Sequence, residues 1–534
     1  MSDRQNWFKR HQRELALALL LLAVELSYVA IITAGRFTTW PTWNGNYDLL
    51  AEGFRSGHLY LSVAPSPALL AKANPFDPAW RPLWFWDASL HDGHYYLYWG
   101  PFPALALAIV KTVFGIRATV GDQFPLFAFY SIYLVAGTLL IVRMARRLFD
   151  GRVPPWLTVV SIAVFAYANP TPYLIATPGI YEAAIAGGQA FLVLGLLLAF
   201  DAIWRGDGKA RRRLLVGAGL SWGIAFACRA SAILPAAVFV ALTALVISMG
   251  PSKGPMPPAK GSGGRSPPAP DANAPPVREP RAWRRPLRPA VALTAPIVSI
   301  VVAHFAYNKL RFGAWLDFGL GKQLSTMQFR TEPSYLLPNL YSYLLRPLHP
   351  SCRFPFLSAP AHLERGAFPT WFPLPQRYFA PEPVAGLINA TPWVLLAGVA
   401  AVAVGILVRD ARRAPAAFVG DDIRPRASLW CGLAFLALGT VTGLPEITEF
   451  FASMRFLADV AGGLVLAGAW AAFWLYARIR DRVWPERVVS TVIVALAGAS
   501  IAIGLLLGVQ GYDQMFQRHN PELFQRWVRM LSRC

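Results

Sequence analysis

Apolar residues run for about 20 positions at a time along most of this chain, and short arginine-rich interruptions separate the runs. That length fits the hydrocarbon thickness of a bilayer at the rise of an α-helix. The pattern predicts eleven spans: 15–34, 123–142, 155–169, 183–204, 213–229, 232–249, 289–307, 385–408, 428–445, 456–478 and 488–508. The first is read as an uncleaved span rather than a signal peptide, because it is long, carries Glu25 and lacks a small-x-small cleavage site. Residues 101–116, PFPALALAIVKTVFGI, are apolar too. Their short length and internal Lys111 suit a helix lying in the outer interface. The expected fold is therefore an all-α polytopic membrane protein with a long first extracytoplasmic loop that contains interfacial helices.

Two long segments fall outside the spans, 35–122 and 308–384, both rich in Trp, Tyr, Phe and Pro. Residues 250–288 form a basic Pro/Gly/Ser-rich stretch that cannot bury enough apolar surface to order itself. The expected organisation is an N-terminal transmembrane module (1–249), this cytoplasmic linker, a C-terminal bundle (289–510) and a tail (511–534). No internal repeat is visible, which weakens an inverted-repeat transporter.

Composition agrees with the pattern. Hydrophobic residues make up 55% and charged residues only 15%, where a soluble protein has about a quarter charged. Four cysteines in 534 residues exclude a disulfide scaffold. Cys352 and Cys534 are candidates for one pair, while Cys228 and Cys431 fall in spans. Fifty Lys+Arg against 29 Asp+Glu give a net charge of +21. In a soluble chain this would point to nucleic acid. Here the charge sits between apolar runs, at Arg4–Arg13, Arg143–Arg152, Arg205–Arg213, Lys253–Arg288, Arg409–Arg413 and Arg478–Arg487. That is the positive-inside pattern, so these six clusters are expected on the cytoplasmic side and no nucleic-acid partner is expected.

The candidate chemistry lies in the outer segments. Asp48 follows the first span closely, and Glu52 four residues on shares its helical face. A partly desolvated carboxylate there suits a general base, or is simply satisfied by its loop. Asp87, His91, Asp92 and His94 put four oxygen or imidazole groups within eight residues. They match no strong zinc spacing, so a divalent ion and a polar turn both stay open. Tyr95, Tyr96, Tyr98 and Trp99 suit either sugar stacking or an aromatic belt. Ionisable groups at span ends (Glu182, Arg229, His304, Arg455) converge on one layer, and Arg229 either clamps a phosphate or snorkels. No P-loop, G-x-G-x-x-G, G-x-S-x-G or H-E-x-x-H occurs, so cytosolic nucleotide chemistry has no support.

A first span, a long loop with an early Asp and then an outer amphipathic helix resemble the GT-C superfamily of integral-membrane glycosyltransferases. Local stretches carry the resemblance: YDLLAEGFRSGHLYL, DGHYYLYWGPFPA, YNKLRFGAWLDFG and MRFLADVAGGLVL. It implies transfer of a sugar from a polyprenyl-phosphate carrier to a hydroxyl on a lipid, polysaccharide or protein, most simply with inversion. By the same resemblance Asp48 would be the loop-one catalytic carboxylate, Glu182 a second outer carboxylate and Arg229 an outer-facing phosphate ligand. Many members carry a Lys-Pro-Pro-Leu-like element at the donor phosphate. Here Trp99-Gly100-Pro101-Phe102-Pro103 stands in its place, so Arg229, Arg55, Arg311 or His94 would have to neutralise the phosphate, with Tyr96 and Tyr98 beside the sugar. The implied setting is the outer face of a bacterial plasma membrane, among membrane lipids, with the N-terminus cytoplasmic. A lipid-linked-sugar flippase or a non-catalytic binding subunit are the alternatives.

Overall fold

The chain is described by a computed structural model over residues 3–168, 170–249, 284–326, 330–360, 368–369, 374–375, 378, 382–415, 418, 421–532 and 534. It is an all-α polytopic membrane protein. Among the described residues nine helices are long and apolar enough to cross a bilayer: Glu14–Ile32, Gln123–Phe149, Ile180–Ile203, Ala230–Ser248, Leu287–Phe312, Pro392–Arg413, Arg424–Thr448, Met454–Ile479 and Val483–Gln510. The 20-residue helix Lys209–Cys228, where a span was expected at 213–229, opens on an arginine-rich turn and is not among these nine.

Two expected spans differ in extent. The 155–169 run forms a helix of only 13 residues, Pro155–Tyr167, about 20 Å long and short of the roughly 30 Å hydrocarbon layer. Pro170 interrupts the helix, and Thr171–Ile175 resumes it as a separate turn. The 385–408 run starts its long helix only at Leu395, because Thr391 is extended and Pro392 begins a 3-10 turn. Most of the linker expected at 250–288 lies outside the described residues; Arg284–Phe312 is already helical.

Small residues let the bundle close. The helix Leu457–Ile479, LADVAGGLVLAGAWAAFWLYARI, is mostly Ala and Gly along its first turns, and it and Ile180–Ile203 are buried at the centre. The first helix and Leu287–Phe312 lie at the periphery with exposed Leu19, Leu22, Val291 and Val302. One end of the bundle gathers the basic clusters: Arg424 reaches Asp150 at 3.3 Å, and the charges of Arg211 and Arg478 act on Arg426 and Asp410.

The opposite end carries the long connections and is called the loop face here. Residues 33–122 contribute the helix Asn46–Arg55, the hairpin Ser89–His91/His94–Tyr96 and the helix Phe102–Val113. This last helix is too short to span. It exposes Leu105, Ile109 and Val113 on one face and buries Lys111 on the other, as an interface-lying helix would. A bridge from Ser89 to Gln323 joins the first loop segment to the second, and another from Thr331 to Glu449 joins the second to the 442–456 connection. The tail docks on the same face. Phe354, Phe516, Phe524 and Val528 pack with Ala34, Asn520 Nδ2 donates to the Ala34 carbonyl, and Cys352 is disulfide-bonded to Cys534.

Candidate active site at the loop face

Where these connections meet they enclose a cavity of about 360 Å³. Each wall comes from a different part of the chain. Asp87, Tyr98, Trp99 and Gly100 come from the first loop segment, and Tyr181 from the start of a central helix. Arg229 comes from the turn between Lys209–Cys228 and Ala230–Ser248. Phe318, Leu320 and Gln323 follow the helix Arg284–Phe312, and Glu446, Glu449, Phe450, Phe451, Arg455 and Phe456 complete it.

Two guanidinium groups anchor the polar half. Arg229 Nη2 lies 2.6 Å from Asp459 Oδ2 and 3.0 Å from Glu446 Oε1, and Gln189 donates to Asp459 Oδ1 at 3.1 Å. Arg455 Nη2 meets Glu382 Oε1 at 2.7 Å, and Ser453 donates to the other Glu382 oxygen. The Arg455 guanidinium also stacks 4.1 Å from the Tyr181 ring. The Nε groups of both arginines are buried without a hydrogen-bond partner among the described residues. Buried, partly paired guanidinium groups facing a cavity suit an incoming oxyanion.

Asp87 is the first-loop carboxylate in the lining. It sits at φ 62°, accepts a hydrogen bond from Gln323 Nε2 at 2.8 Å, and the same nitrogen donates to Tyr98 Oη at 3.2 Å. Burial pushes its pKa above the ordinary carboxylate value, against the pull of the Gln323 bond and the Arg455 charge. Glu449, on the connection between two spans, is pushed up to about 7 by burial, with the charges of Arg229 and Arg455 opposing.

The residues expected from sequence separate here. Arg229 and Tyr98 line the cavity, and Glu182, buried in the first turn of the helix beginning at Ile180, lies behind Tyr181 within the field of Arg455. Asp48 is absent from the lining. Its carboxylate is buried against Lys111 Nζ at 2.5 Å, and Glu52 one turn on takes the same ammonium at 2.5 Å. The i,i+4 face read as catalytic is thus the docking face of the 46–55 helix on the 102–113 helix. Arg55 pairs with Glu52 at 2.8 Å, away from the cavity. Arg311 donates to the Leu97 carbonyl at 2.5 Å and to Asn308 Oδ1 at 2.6 Å, a clamp on the strand leading to Tyr98. His94 stacks 4.0 Å from Tyr60, and Tyr96 packs its buried ring against Phe312 at 5.3 Å.

The candidate metal set does not converge. Asp92 and Gly93, both at positive φ, form the hairpin turn, and the Asp92 side chain is 83% exposed. The hairpin leaves His91 beside Asp92 and Phe312, while Asp87 points to Gln323. Among the described residues no three His, Cys, Asp or Glu side chains are arranged to hold a metal ion.

Glu382, Glu446, Glu449, Asp459 and Gln323 join the site without being singled out by the sequence. A signal existed for three of them: PEITEFFASMRFLAD brings three acids and Arg455 into the edge of two apolar runs, where ionisable groups are costly. Gln323 and Glu382 enter only through tertiary folding.

No family model matches the chain, and no curated protein matches it in sequence. In backbone it is similar to the oligosaccharyltransferase of Archaeoglobus fulgidus in its apo form, with 13% identity and a TM-score of 0.48 over 94% of this chain and 56% of that one. The same archaeal enzyme with an inhibitory peptide and a dolichol-phosphate aligns at 12% identity and a TM-score of 0.44 over the same shares, 94% and 56%. ArnT from Cupriavidus metallidurans bound to undecaprenyl phosphate aligns at 12% identity and 0.39, over 95% of this chain and 78% of that one. This chain thus spans little more than half the length of the archaeal enzyme.

Proposed function

We propose that this protein is an integral-membrane glycosyltransferase that moves a sugar from a polyprenyl-phosphate donor to a hydroxyl acceptor at the outer boundary of a bacterial plasma membrane. The observation that carries the reading is the cavity at the loop face. It joins two buried arginines to a carboxylate held at a strained backbone position and to a wall of aromatic rings. A lipid-linked donor needs this arrangement, with its phosphate at the membrane edge and its chain left in the bilayer.

In this reading Arg229 and Arg455 bind the donor phosphate and stabilise the charge that builds on it as it leaves. Asp87 orients the acceptor hydroxyl and takes its proton as the hydroxyl oxygen bonds to the anomeric carbon. The bond from that carbon to the phosphate oxygen breaks, and polyprenyl phosphate departs with inversion of the sugar. Gln323 holds Asp87, and Tyr98 and Trp99 flank the sugar. Asp48, the base expected from the resemblance, is given a structural role instead because Lys111 occupies its carboxylate. Glu182 is assigned to tuning Arg455 rather than to proton transfer.

Asp87 must be ionised to act, and its pKa is raised, so turnover rises as pH climbs above the ordinary carboxylate range. The decisive binding test is photo-crosslinking with a diazirine-bearing prenyl phosphate in nanodiscs. Labelling should map to the cavity walls and fall at least ~10-fold in Arg229→Gln, the loss expected for one charge-assisted contact. Labelling spread evenly over the lipid-facing helices, and indifferent to Arg229→Gln, would contradict the reading.

A further inference from the structure

Immediately before Asp87 the first loop segment builds an aromatic platform that the donor chemistry leaves unused. The 3-10 turn Pro78–Leu83 and the residues after it carry Trp80, Trp84 and Trp86, and Trp86 is 37% exposed. Each end of the platform holds a cation against an indole. Lys72 Nζ lies 3.7 Å from the centre of the Trp80 ring, and the Arg81 guanidinium lies 4.8 Å from that of Trp86. Neither cation has a carboxylate partner among the described residues. Asp77, the one acid in residues 63–86, is engaged by the Ala79 N–H at 2.9 Å. The rings are also fixed. Trp84 Nε1 donates to the Pro75 carbonyl at 2.8 Å, its ring lies 6.1 Å from that of Trp86, and the Trp86 indole hydrogen-bonds the Asp87 carboxyl.

We infer that Trp86 and Arg81 form an acceptor subsite for an acidic carbohydrate, with a sugar ring stacked on the exposed indole and its carboxylate on the guanidinium. This rests on the transferase reading and adds the chemical class of the acceptor. A rigid indole offers a flat apolar face that matches the C–H face of a pyranose. A guanidinium held by stacking keeps its planar N–H edge for a carboxylate and loses little freedom when one arrives. The bond from Trp86 to Asp87 ties the platform to the carboxyl that takes the acceptor proton, so a ring resting on Trp86 brings a hydroxyl to the cavity mouth. A membrane-anchoring belt fits less well. Belt tryptophans turn their N–H groups to the lipid headgroups, whereas those of Trp84 and Trp86 are spent on Pro75 and Asp87.

The test measures dissociation constants by ligand-observed NMR with the full chain in phosphatidylcholine nanodiscs. The probes are tetragalacturonic acid and its methyl ester, which share rings and hydroxyls and differ in charge. The acid should bind ~10-fold more tightly than the ester, and Arg81→Gln should bring the two to near equality. Trp86→Ala should weaken both by ~10-fold. Equal affinity of acid and ester for the unmodified protein, or no binding of either, overturns the inference. A preference for the acid that survives Arg81→Gln overturns the assignment to Arg81. Fluorescence quenching by brominated phosphatidylcholine that falls in Trp86→Phe would place the indole in lipid and overturn it too. No donor is present in these titrations, so their failure is separate from that of the donor reading, on which the prenyl-phosphate labelling reports alone.

Discussion

At the scale of single residues, the informative groups are those whose burial demands a partner. Lys111 is the clearest. It is 1% exposed, and burial alone would lower its pKa, but the bonds and charges of Asp48 and Glu52 raise it overall. Lys111→Ala leaves Asp48 buried without its counter-ion, so the account predicts a loss of about 3–5 kcal/mol, read as a lower Tm in nanodiscs. Asp48→Asn should cost less, since Glu52 still holds the ammonium. Asp122 gives a pH signature. It accepts backbone N–H bonds from Asn46 and Tyr47, both at 3.2 Å, and caps the 46–55 helix. Burial pushes its pKa up to about 7, with those two bonds pulling the other way. The folded form therefore holds a proton that the unfolded chain releases near pH 4. The associated stability is present below that value and is lost as pH rises through about 7. Thermal melts between pH 4 and 8 should show this decline in the wild type and a flatter profile in Asp122→Asn.

At the scale of elements, the site depends on close approach. The backbone at Gly100 runs so near the end of the Lys209–Cys228 helix that a Cβ there would sit 2.1 Å from the Ala227 carbonyl oxygen. Gly100→Ala must push apart the Trp99–Pro101 segment and the turn that aims Arg229. Donor binding should weaken on the order of 10- to 100-fold, as expected for a displacement near 1 Å, with the helical circular dichroism unchanged. The same elements show what periodicity can and cannot reveal. Apolar runs marked the membrane helices well because the bilayer imposes one length on them. At 155–169 the apolar run yields only the short helix Pro155–Tyr167, ahead of Pro170, and at 385–408 the span begins later than expected, at Pro392. The 102–113 helix was separable from a span by its length and by Lys111. The partner of that lysine was not visible, because Asp48 lies 63 residues away in sequence. Spacing placed Asp48 and Glu52 on one face, and that face meets Lys111.

At the scale of the whole molecule, the loop face is a composite of segments far apart in the chain, and this is why the sequence located the layer but not the full site. Arg229, Glu182 and Arg455 stood out as ionisable groups at span ends. The pairing of the two arginines with Asp459, Glu446 and Glu382 follows only from the packing of distant helices. The tail belongs to the same assembly through Cys352–Cys534, which bridges 182 residues. Cys534→Ser should free the tail helix Pro521–Leu531 for limited proteolysis, where the wild type resists until a reductant is added. The central claim is that chemistry occurs in the cavity and not at the first carboxylate after the opening span. The most direct measurement is sugar transfer from a prenyl-phosphate donor by purified Asp87→Asn and Asp48→Asn proteins, each matched to wild type for folding. The account predicts that Asp87→Asn loses at least ~100-fold in kcat, the share a positioned general base supplies, while Asp48→Asn keeps substantial turnover. Wild-type turnover in Asp87→Asn together with its loss in Asp48→Asn would contradict it.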